Sequence, residues 1–530
     1  MVNEKKLKIF HNLFVLKPIV VSALAAVLTF YFFCFIETRF DGFLFRIILI
    51  FFILFSFVLF LTFFFLKNKV KVIFAGFVIG AIAALRLIFI YAEPLTLPEL
   101  NNVESLRAEL ITEAYPAGDK YYAANAKLIS LSYKNGAKFS AKGNIKIFFP
   151  SEMVLQNNAF GISAYKAVYK TAYKAADGSS KKKTLNNFSK GVIFEASGHF
   201  STKKSGINPL AFFGDKSVPE FLGWRSAVLR FRAFLRFYLM RLLSGWGSAG
   251  ALLLALLSAN RDFLILPVSE AFRNAGLAHV LALSGMHVSL VSLTAVQMGT
   301  IFGKKSLAIK FSLISIILFV WFAGAAPSLN RALGMMILII IGKSLGLQPQ
   351  MISVLCTMLI FHIAVKPDDA LSLGFMLSYG ALAGILIFGS AVHDILSGKI
   401  PPKILGSFSA SIGAQTFTAP IVITKIGGIA PIGIIASVIV SPLISAFLIL
   451  GLGAIFISIL FPFCGFIFSF LLNVFYESIF FLIQAFALFP LIKANTLCDS
   501  LVFSILPFIA GLVCVYYSEK ILKKRELILK

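Results

Sequence analysis

The run PIVVSALAAVLTFYFFCFI, residues 18–36, holds no charged side chain and is close to the ~20 residues with which an α-helix crosses a bilayer. Comparable apolar runs occupy 43–66 and 311–322, and 59% of the 530 residues are hydrophobic, with a mean hydropathy of +0.91. Backbone groups in lipid permit only helices or closed barrels, and these runs lack the alternation of a barrel strand. The sequence therefore predicts an α-helical polytopic membrane protein with about a dozen spans.

Basic residues predict how the chain lies in the membrane. Residues 1–92 hold three apolar runs, 18–36, 43–66 and 70–91, with lysines at 67, 69 and 71. Because lysine and arginine accumulate in cytoplasmic loops, we expect a cytoplasmic N-terminus and an external residue 92. The first run is too long for a signal peptide, so we expect an uncleaved span. The basic tail, 518–530, predicts a cytoplasmic C-terminus.

Residues 93–224 are more polar and predict a small β domain outside the membrane. The segments 126–133, 144–149 and 192–200 are rich in β-forming residues, and Asn-Gly, Lys-Gly and Asp-Gly pairs separate them. Such punctuation is typical of hairpins. The loop SSKKKTLNN, 179–187, contains Lys181, Lys182 and Lys183. It is either a solvated loop or a contact for nucleic acid.

Region 225–270 begins with a basic helix and ends with a short linker helix. At helical spacing, Arg225, Arg232 and Arg236 share one sector, while Arg230 and Arg241 lie on another. The helix could lie at the membrane surface with its arginines at headgroup phosphates. It could instead form a basic collar that gathers nucleic-acid phosphates, which the net charge of +26 also suits. The sequence leaves both interpretations open.

The second membrane block, 271–517, contains AGLAHVLALSGMHVSLV, 275–291, which we expect to be one helix. Polar side chains at lipid depth usually face protein or water and mark functional paths. His279 and His287 have no third ligand near them in sequence, and the five cysteines show no CxxC spacing, so a metal site is not predicted. Gly285 and Ser289 form a small-xxx-small pair that could pack against another helix. The histidines could bond neighbouring helices or line a wet path.

The same block has an unusual balance of charge. Between Ala271 and Lys366 there is no aspartate or glutamate, whereas several lysines and arginines are present. Pores for anions favour such cations, and proton-driven transporters use buried carboxylates instead. Arg331 lies at the start of a span and is not explained by loop charge alone. The block therefore suits an anionic cargo.

The stretch GLAHVLALSGMHVSLV resembles the signature helix of the ComEC/Rec2 family of competence proteins, in which an H-x-L-A-I-S-G-L-H-V-type run opens the membrane core. Further motifs follow in the order expected for that family: PSLNRALGMM (327–336), KPDDALSLGFMLSYGALAG (366–384, with Gly374, Phe375, Leu377 and Ser378 matching) and SIGAQTFTAPIVITKIGGIAPIG (411–433, with Gln415 and Pro420 in place). INPLAFFGDKSV (207–218) is a degraded likeness of the stretch that closes the family's OB-like domain.

The resemblance implies a channel in the bacterial inner membrane that translocates single-stranded DNA into the cytoplasm during natural transformation. It implies an OB-like β domain, a competence-type channel core over 271–517, and three separate partners: a nuclease, a DNA-receptor protein and an ATP-driven motor. Many members continue into a metallo-β-lactamase-like domain, but the six histidines here form no H-x-H-x-D cluster. We therefore expect no catalytic residue, metal or cofactor.

Two sets of residues are predicted to contact DNA. The path through the core is predicted to include His279, Ser284, Gly285, His287, Arg331, Gly374, Ser378, Gln415 and Pro420. Contacts outside the core are predicted at Tyr121, Tyr122, Lys181, Lys182, Lys183, Arg230, Arg232 and Arg236. Two other functions stay open at this point: a membrane-embedded enzyme acting on a lipid-linked substrate, and a small-solute permease built on inverted repeats.

Overall fold

The computed structural model describes most of the chain. The described residues are 17–39, 68–92, 102–117, 120–150, 189–201, 210–215, 219–261, 263–264, 266–301, 305–324, 326–494 and 496–529. Within them, one compact unit takes in 17–28, 68–80 and the chain from 255 onward. A second compact unit takes in 29–39 and 81–254.

Helices make up most of the described chain. In chain order they are α1 (Pro18–Arg39), α2 (Asn68–Ala92), α3 (Ala227–Ser244), α4 (Gly247–Ser258), α5 (Leu266–Asn274), α6 (Ala278–Leu281), α7 (Gly285–Ile301), α8 (Lys305–Ala323), α9 (Pro327–Ser344), α10 (Met351–Val365), α11 (Pro367–Ala370), α12 (Leu373–Gly384), α13 (Ser390–Leu396), α14 (Pro402–Ile426), α15 (Gly433–Leu460), α16 (Cys464–Ala487) and α17 (Leu497–Leu529). A π-helical turn, Ile385–Gly389, joins α12 to α13.

Six helical segments in the described chain are long and apolar enough to cross a membrane: Pro18–Phe35, Val70–Leu87, Leu373–Leu396, Gly433–Leu460, Cys464–Ala487 and Leu501–Ile521. Their exposed faces are dominated by phenylalanine, leucine and isoleucine, which is the surface expected of a protein solvated by acyl chains. The chain is a multi-pass membrane protein. Two of the predicted N-terminal spans coincide with α1 and α2, and the third, 43–66, lies outside the described residues.

The β strands are β1 (Val103–Leu110), β2 (Tyr115–Ala117), β3 (Tyr121–Tyr133), β4 (Lys138–Pro150), β5 (Val192–Phe200), β6 (Leu210–Gly214) and β7 (Glu220–Trp224), with two short strands, β8 (Gly428–Ile429) and β9 (Ile492–Lys493), in the helical unit. The three strands expected from turn punctuation are confirmed as β3, β4 and β5, and β3 and β4 are longer than predicted.

The sheet closes on itself. Its order is β1-β3-β4-β6-β5, and β1 also pairs with β5. The pairing of β4 with β6 is parallel, whereas β1 pairs antiparallel with both of its neighbours. Alternate residues point inward, as the pleat requires, and build a core that includes Leu106, Ile145, Phe149, Phe194 and Phe212. A closed sheet has no unpaired edge between its first and last strands.

Glycines allow α12 and α14 to approach closely in the helical unit. A Cβ built on Gly413 of α14 would lie 2.6 Å from the backbone oxygen of Gly384 and would also meet the backbone nitrogen of Gly389. Both obstacles are backbone atoms, which cannot rotate away. The crossing therefore depends on the absence of a side chain at Gly413.

Replacing Gly413 with alanine is expected to lower the free energy of unfolding by about 2–3 kcal/mol, because the added methyl must push two helices apart. The matched control is Gly406→Ala in the same helix, where an added Cβ would meet nothing within 4 Å. That change should leave stability equal or raise it by up to about 1 kcal/mol, since alanine favours helix over glycine. Thermal unfolding in detergent measures both; equal midpoints would contradict the close crossing.

Candidate functional site

The motif 275–291 is not one helix, so that part of the sequence prediction is wrong. A short turn, α6, ends at Leu281, and α7 begins at Gly285. The reason is local. The Ser284 side chain accepts a hydrogen bond from the backbone N–H of Met286 at 3.3 Å, as an N-cap serine does when it starts a helix.

Ser284 and His287 hold each other at this helix start. The backbone N–H of Ser284 donates to Nδ1 of His287 at 3.1 Å, and the Ser284 hydroxyl lies 3.1 Å from the same nitrogen. The reach of the His287 side chain back to the Ser284 N–H is one half of a capping box, with a histidine where glutamate or glutamine is usual. The Ser284 hydroxyl accepts from the N–H of Met286 rather than of His287. His287 is 0% exposed, whereas His279 is exposed on α6. The two histidines of the motif therefore lie in different environments.

Arg331 lies buried near the start of α9, with 9% of its surface exposed. Its Nη1 donates to the backbone oxygen of Ser378 on α12, and its guanidinium carbon lies 5.8 Å from the centre of the Tyr379 ring. A Cβ built on Gly285 would lie 3.5 Å from Nη2 of Arg331. Gly285, Arg331 and Ser378, predicted for the path from three separate motifs, thus meet, and Ser284 and His287 adjoin Gly285 at the start of α7. We call Ser284, Gly285, His287, Arg331 and Ser378 the Arg331 cluster.

A hydrogen-bonded series of side chains leads from Tyr379 to the partly exposed Lys366. The Tyr379 hydroxyl lies 3.1 Å from Nδ1 of His362, and Nε2 of His362 lies 3.0 Å from Oδ2 of Asp369. Lys366 donates to Oδ1 of the same carboxylate at 2.7 Å. Tyr379 is therefore held at its hydroxyl, while its ring face meets the Arg331 guanidinium. A cation is attracted to the face of an aromatic ring, so this contact is favourable.

The sequence did not predict this series of hydrogen-bonded side chains. Asp369 lies three residues beyond the stretch without carboxylates, and its partner His362 lies inside that stretch on α10. The turn between α10 and α12 brings them together. The presence of a histidine followed by two aspartates around Pro367 was the available signal, but the pairing depends on how that turn folds.

Removing the Asp369 carboxylate is expected to lower the free energy of unfolding by about 2 kcal/mol, because the buried imidazole of His362 loses its partner. The change is Asp369→Ala, measured by thermal unfolding in detergent. Asp368→Ala is the control, since Asp368 is exposed on the same short turn. Equal effects of the two variants would show that the chain of hydrogen bonds is not structural.

Three other residues predicted for the path lie elsewhere in the helical unit. Gly374 is exposed on α12, and a Cβ there would meet nothing within 4 Å. The amide nitrogen of Gln415 would lie 2.8 Å from a Cβ on Gly433, so this side chain packs on the start of α15. Pro420 lies inside α14, where the Thr424 hydroxyl donates to its carbonyl at 2.7 Å. Their assignment to a path stays a prediction.

The β unit presents an aromatic face on the outside of its closed sheet. Cross-strand pairing places Phe148, Phe213 and His199 side by side on β4, β6 and β5. Tyr121 on β3 joins them through ring contacts with Phe148 and Phe213. Phe148 and Phe213 stack with ring centroids 4.8 Å apart, and His199 stacks on Phe213 at 5.9 Å. Tyr121 meets Phe213 edge-on at 5.7 Å. These four side chains are partly or fully exposed, so the aromatic face presents ring surface outward.

Lys146 adds a positive charge to the aromatic face. Its Nζ lies 5.4 Å from the Phe148 ring centre and 5.9 Å from that of Tyr115, which is 43% exposed on β2. Of the two tyrosines predicted to contact DNA, Tyr121 lies in this face, whereas Tyr122 is 8% exposed in the core. Neighbouring residues of a strand point to opposite sides, so only one of the pair can face outward.

Arg232 and Arg236 of α3 share one face, as their spacing predicts, and they meet a carboxylate, as does Arg225 just before the helix. Arg232 and Arg236 pair with Glu113 at 3.1 and 2.5 Å, and Arg225 pairs with Glu109. Arg232 and Arg236 are largely buried, with 6% and 13% of their side chains exposed. Both guanidinium groups are engaged with Glu113 and have little exposed surface, which weakens the prediction that they contact DNA.

The remaining predicted DNA contacts differ in what the structure shows. Arg230 is exposed on α3, so its side chain is accessible. Lys181, Lys182 and Lys183 lie outside the described residues.

The sequence of the helical unit identifies its relatives. The model of the competence protein family matches residues 256–520, half of the chain. The chain belongs to the competence protein family. It is similar to ComE operon protein 3 of Bacillus subtilis (strain 168), with 26% identity over 164 residues. That match covers 30% of this chain and 21% of the relative, about a fifth of its length. No solved structure matches the chain.

The competence-family match contains every residue of the Arg331 cluster, together with His362, Asp369 and Tyr379, and the seven-stranded sheet lies outside it. Within the described part of this competence protein, no group of three or more His, Cys, Asp or Glu side chains is placed to hold a metal ion. The chemistry of the described cluster is that of a cation, an imidazole and hydroxyls. Such groups bind anions.

Proposed function

We propose that this chain is the component of an inner-membrane channel that passes single-stranded DNA into the cytoplasm during natural transformation. Membership of the competence family and similarity to a ComE operon protein support a role in DNA uptake. The observation that carries the proposal is Arg331, a buried cation in the helical unit. Among the described residues, no carboxylate oxygen lies within ion-pair distance of its guanidinium.

A buried charge without an opposite charge is costly, so it is retained where a function needs it. The nearest acid in the hydrogen-bonded chain, Asp369, is already shared by His362 and Lys366. Arginine in a membrane core lowers the barrier to negative charge, and the DNA backbone carries one negative charge per nucleotide. The arrangement therefore fits a path for a phosphate chain better than a path for a cation.

The β unit supports the proposal by its architecture. We infer an OB-like barrel from the five strands β1, β3, β4, β6 and β5, which close in that order. OB folds bind oligonucleotides on the face of their second and third strands, which here are β3 and β4. Tyr121 and Phe148 of the aromatic face lie on these two strands, with Lys146 beside Phe148. Rings beside a cation can stack bases and attract phosphates without regard to sequence.

The proposed arrangement in the membrane follows the basic residues. We infer about a dozen spans from the six long apolar segments, three shorter apolar helices (Gly247–Ser258, Ala308–Ala323 and Met351–Val365) and the helices α7, α9 and α14. Residues 1–92 would supply N-terminal spans, 93–224 an external domain, 225–270 a linker and 271–517 the channel core. Both termini, with the tail 518–530, would be cytoplasmic.

A channel of this kind needs other proteins. We propose a separate nuclease that supplies the single strand, a receptor that delivers DNA, and an ATP-driven motor that draws the strand inward. We assign no nuclease, receptor or motor activity to the described residues of this chain.

Deletion of the chain in its host tests the proposal when three steps are scored separately. DNA binding to the cell surface should persist, labelled DNA should no longer reach the cytoplasm, and recombination of electroporated DNA should be unchanged. Complementation with the intact chain should restore uptake. Uptake that continues in the deletion strain, or loss of recombination alone, would contradict a channel.

A further inference from the structure

Three buried polar atoms of the Arg331 cluster have no hydrogen-bond partner among the described residues. They are Nε2 of His287 on α7, Nε of Arg331 on α9 and the hydroxyl oxygen of Ser378 on α12. His287 and Arg331 are 0% and 9% exposed. Buried polar groups in native proteins are almost always paired. Three unpaired atoms on three packed helices point to a partner that is not part of the chain.

The unpaired atoms are hydrogen-bond donors. Nδ1 of His287 accepts the backbone N–H of Ser284 at 3.1 Å, so its lone pair is used there. In a neutral imidazole the hydrogen then lies on Nε2, which becomes a donor. The Nε of Arg331 is always a donor, and the Ser378 hydroxyl can donate. A ligand that satisfies all three must be an acceptor.

The local charge is also positive. Gly285 begins α7, a helix of 17 residues, and the backbone N–H groups at a helix start carry about half a positive charge. A Cβ on Gly285 would lie 3.5 Å from Nη2 of Arg331, so the guanidinium lies beside this positive end. Because Gly285 has no side chain, the space between the start of α7 and the guanidinium is not filled. An anion would relieve the repulsion.

We propose that Gly285, His287, Arg331 and Ser378 bind one phosphodiester group, which deepens the proposed function and rests on it. The fork of the Arg331 guanidinium suits two phosphate oxygens, while His287 and Ser378 donate to the same group. One guanidinium matches the single charge of a phosphodiester. Tyr379, held by His362, is a positioning residue because its ring lies against the guanidinium. A strand would pass this site one phosphate at a time.

The test uses the purified full chain in a maltoside detergent, which contains no phosphate, with dimethyl phosphate as the probe. We expect a saturable rise of the unfolding midpoint and a measurable Kd. His287→Asn keeps an acceptor for the Ser284 N–H but removes the distal donor, and Ser378→Ala removes the hydroxyl. Each should weaken the Kd about tenfold. Ser409→Ala is the control, because Ser409 is also buried with an unpaired hydroxyl but lies outside the cluster.

Competition identifies the source of the phosphodiester. A 20-nucleotide strand of thymidines should displace dimethyl phosphate, and the same strand with an uncharged methylphosphonate backbone should not. If the group instead belongs to lipid, phosphatidylglycerol will displace the probe and the charged strand will not, which overturns the assignment to a strand. Inorganic phosphate binding more tightly than dimethyl phosphate would also overturn it, since the site is then built for a free ion.

The site and the channel can fail separately. Suppose that His287→Asn and Ser378→Ala lose probe binding but deletion of the chain leaves DNA uptake intact. The phosphodiester site would then stand, and the channel would be refuted. Absence of any saturable midpoint shift in the unaltered chain, or equal Kd values in all four proteins, would overturn the site even if deletion abolishes uptake.

Discussion

Replacing Arg331 with glutamate is expected to lower the amount of labelled single-stranded DNA that reaches the cytoplasm by about 100-fold or more. The change puts a carboxylate where the guanidinium meets the Ser378 carbonyl and the Tyr379 ring. A phosphate approaching it would face repulsion in a medium where charges are weakly screened. Uptake is measured as nuclease-resistant label per cell, normalised to the amount of the protein in the membrane.

The control for Arg331→Glu is Lys343→Glu, a reversal of the same size on the same helix. Lys343 is exposed in the last turn of α9, so its reversal should change uptake less than about twofold, as expected of a solvated charge. Arg331→Gln separates loss of the cation from addition of an anion and should give an intermediate defect. Normal uptake in Arg331→Glu at a normal protein level would remove Arg331 from the path.

Replacing both Phe148 and Phe213 with alanine is expected to weaken binding of a thymidine 20-mer to the full chain by about 100-fold. Stacking of a base on an aromatic ring contributes about 1–3 kcal/mol, and these two rings form the stacked centre of the aromatic face. Both are on the outside of the sheet, so the inner core stays intact. Fluorescence anisotropy at one fixed salt concentration measures the Kd.

The control for the aromatic face is Phe139→Ala. Phe139 is 53% exposed on β4 and meets Tyr133 rather than the stacked rings. An abasic strand of equal length and charge provides a second control, because it should bind the unaltered chain and the double variant alike. A double variant that binds thymidines normally would show that the aromatic face does not hold DNA.

The sequence predicts the membrane class and the family well because both depend on patterns along the chain. The apolar run at 18–36 predicts a membrane span from its length alone, because that length matches the thickness of a bilayer. Residues 284, 285, 287, 331 and 378 were chosen from three motifs, and the structure brings Gly285, Arg331 and Ser378 of these motifs together. The start of a helix at Gly285 could have been predicted, since Ser284 and His287 have the spacing of a capping box.

Contacts between distant segments could not be predicted. Glu113 pairs with two arginines more than a hundred residues away in the chain, and no pattern within α3 reveals this contact. The alternation from Ile145 to Phe149 does indicate that Lys146 and Phe148 face outward. The partner ring, Phe213, lies on β6, whose place in the sheet depends on pairing across a long stretch of chain.

Passage of a strand through the purified chain is the most direct test of the channel. The full chain is reconstituted in vesicles that contain a trapped, dye-labelled complementary strand, and a quencher-labelled 20-mer is added outside. Pairing with the trapped strand takes the place of the motor, because it holds each 20-mer that enters. We predict quenching in vesicles with the unaltered chain and a background signal with Arg331→Glu. A background signal from an unaltered chain that binds the 20-mer, or equal quenching by the two proteins, would contradict a DNA path through the helical core.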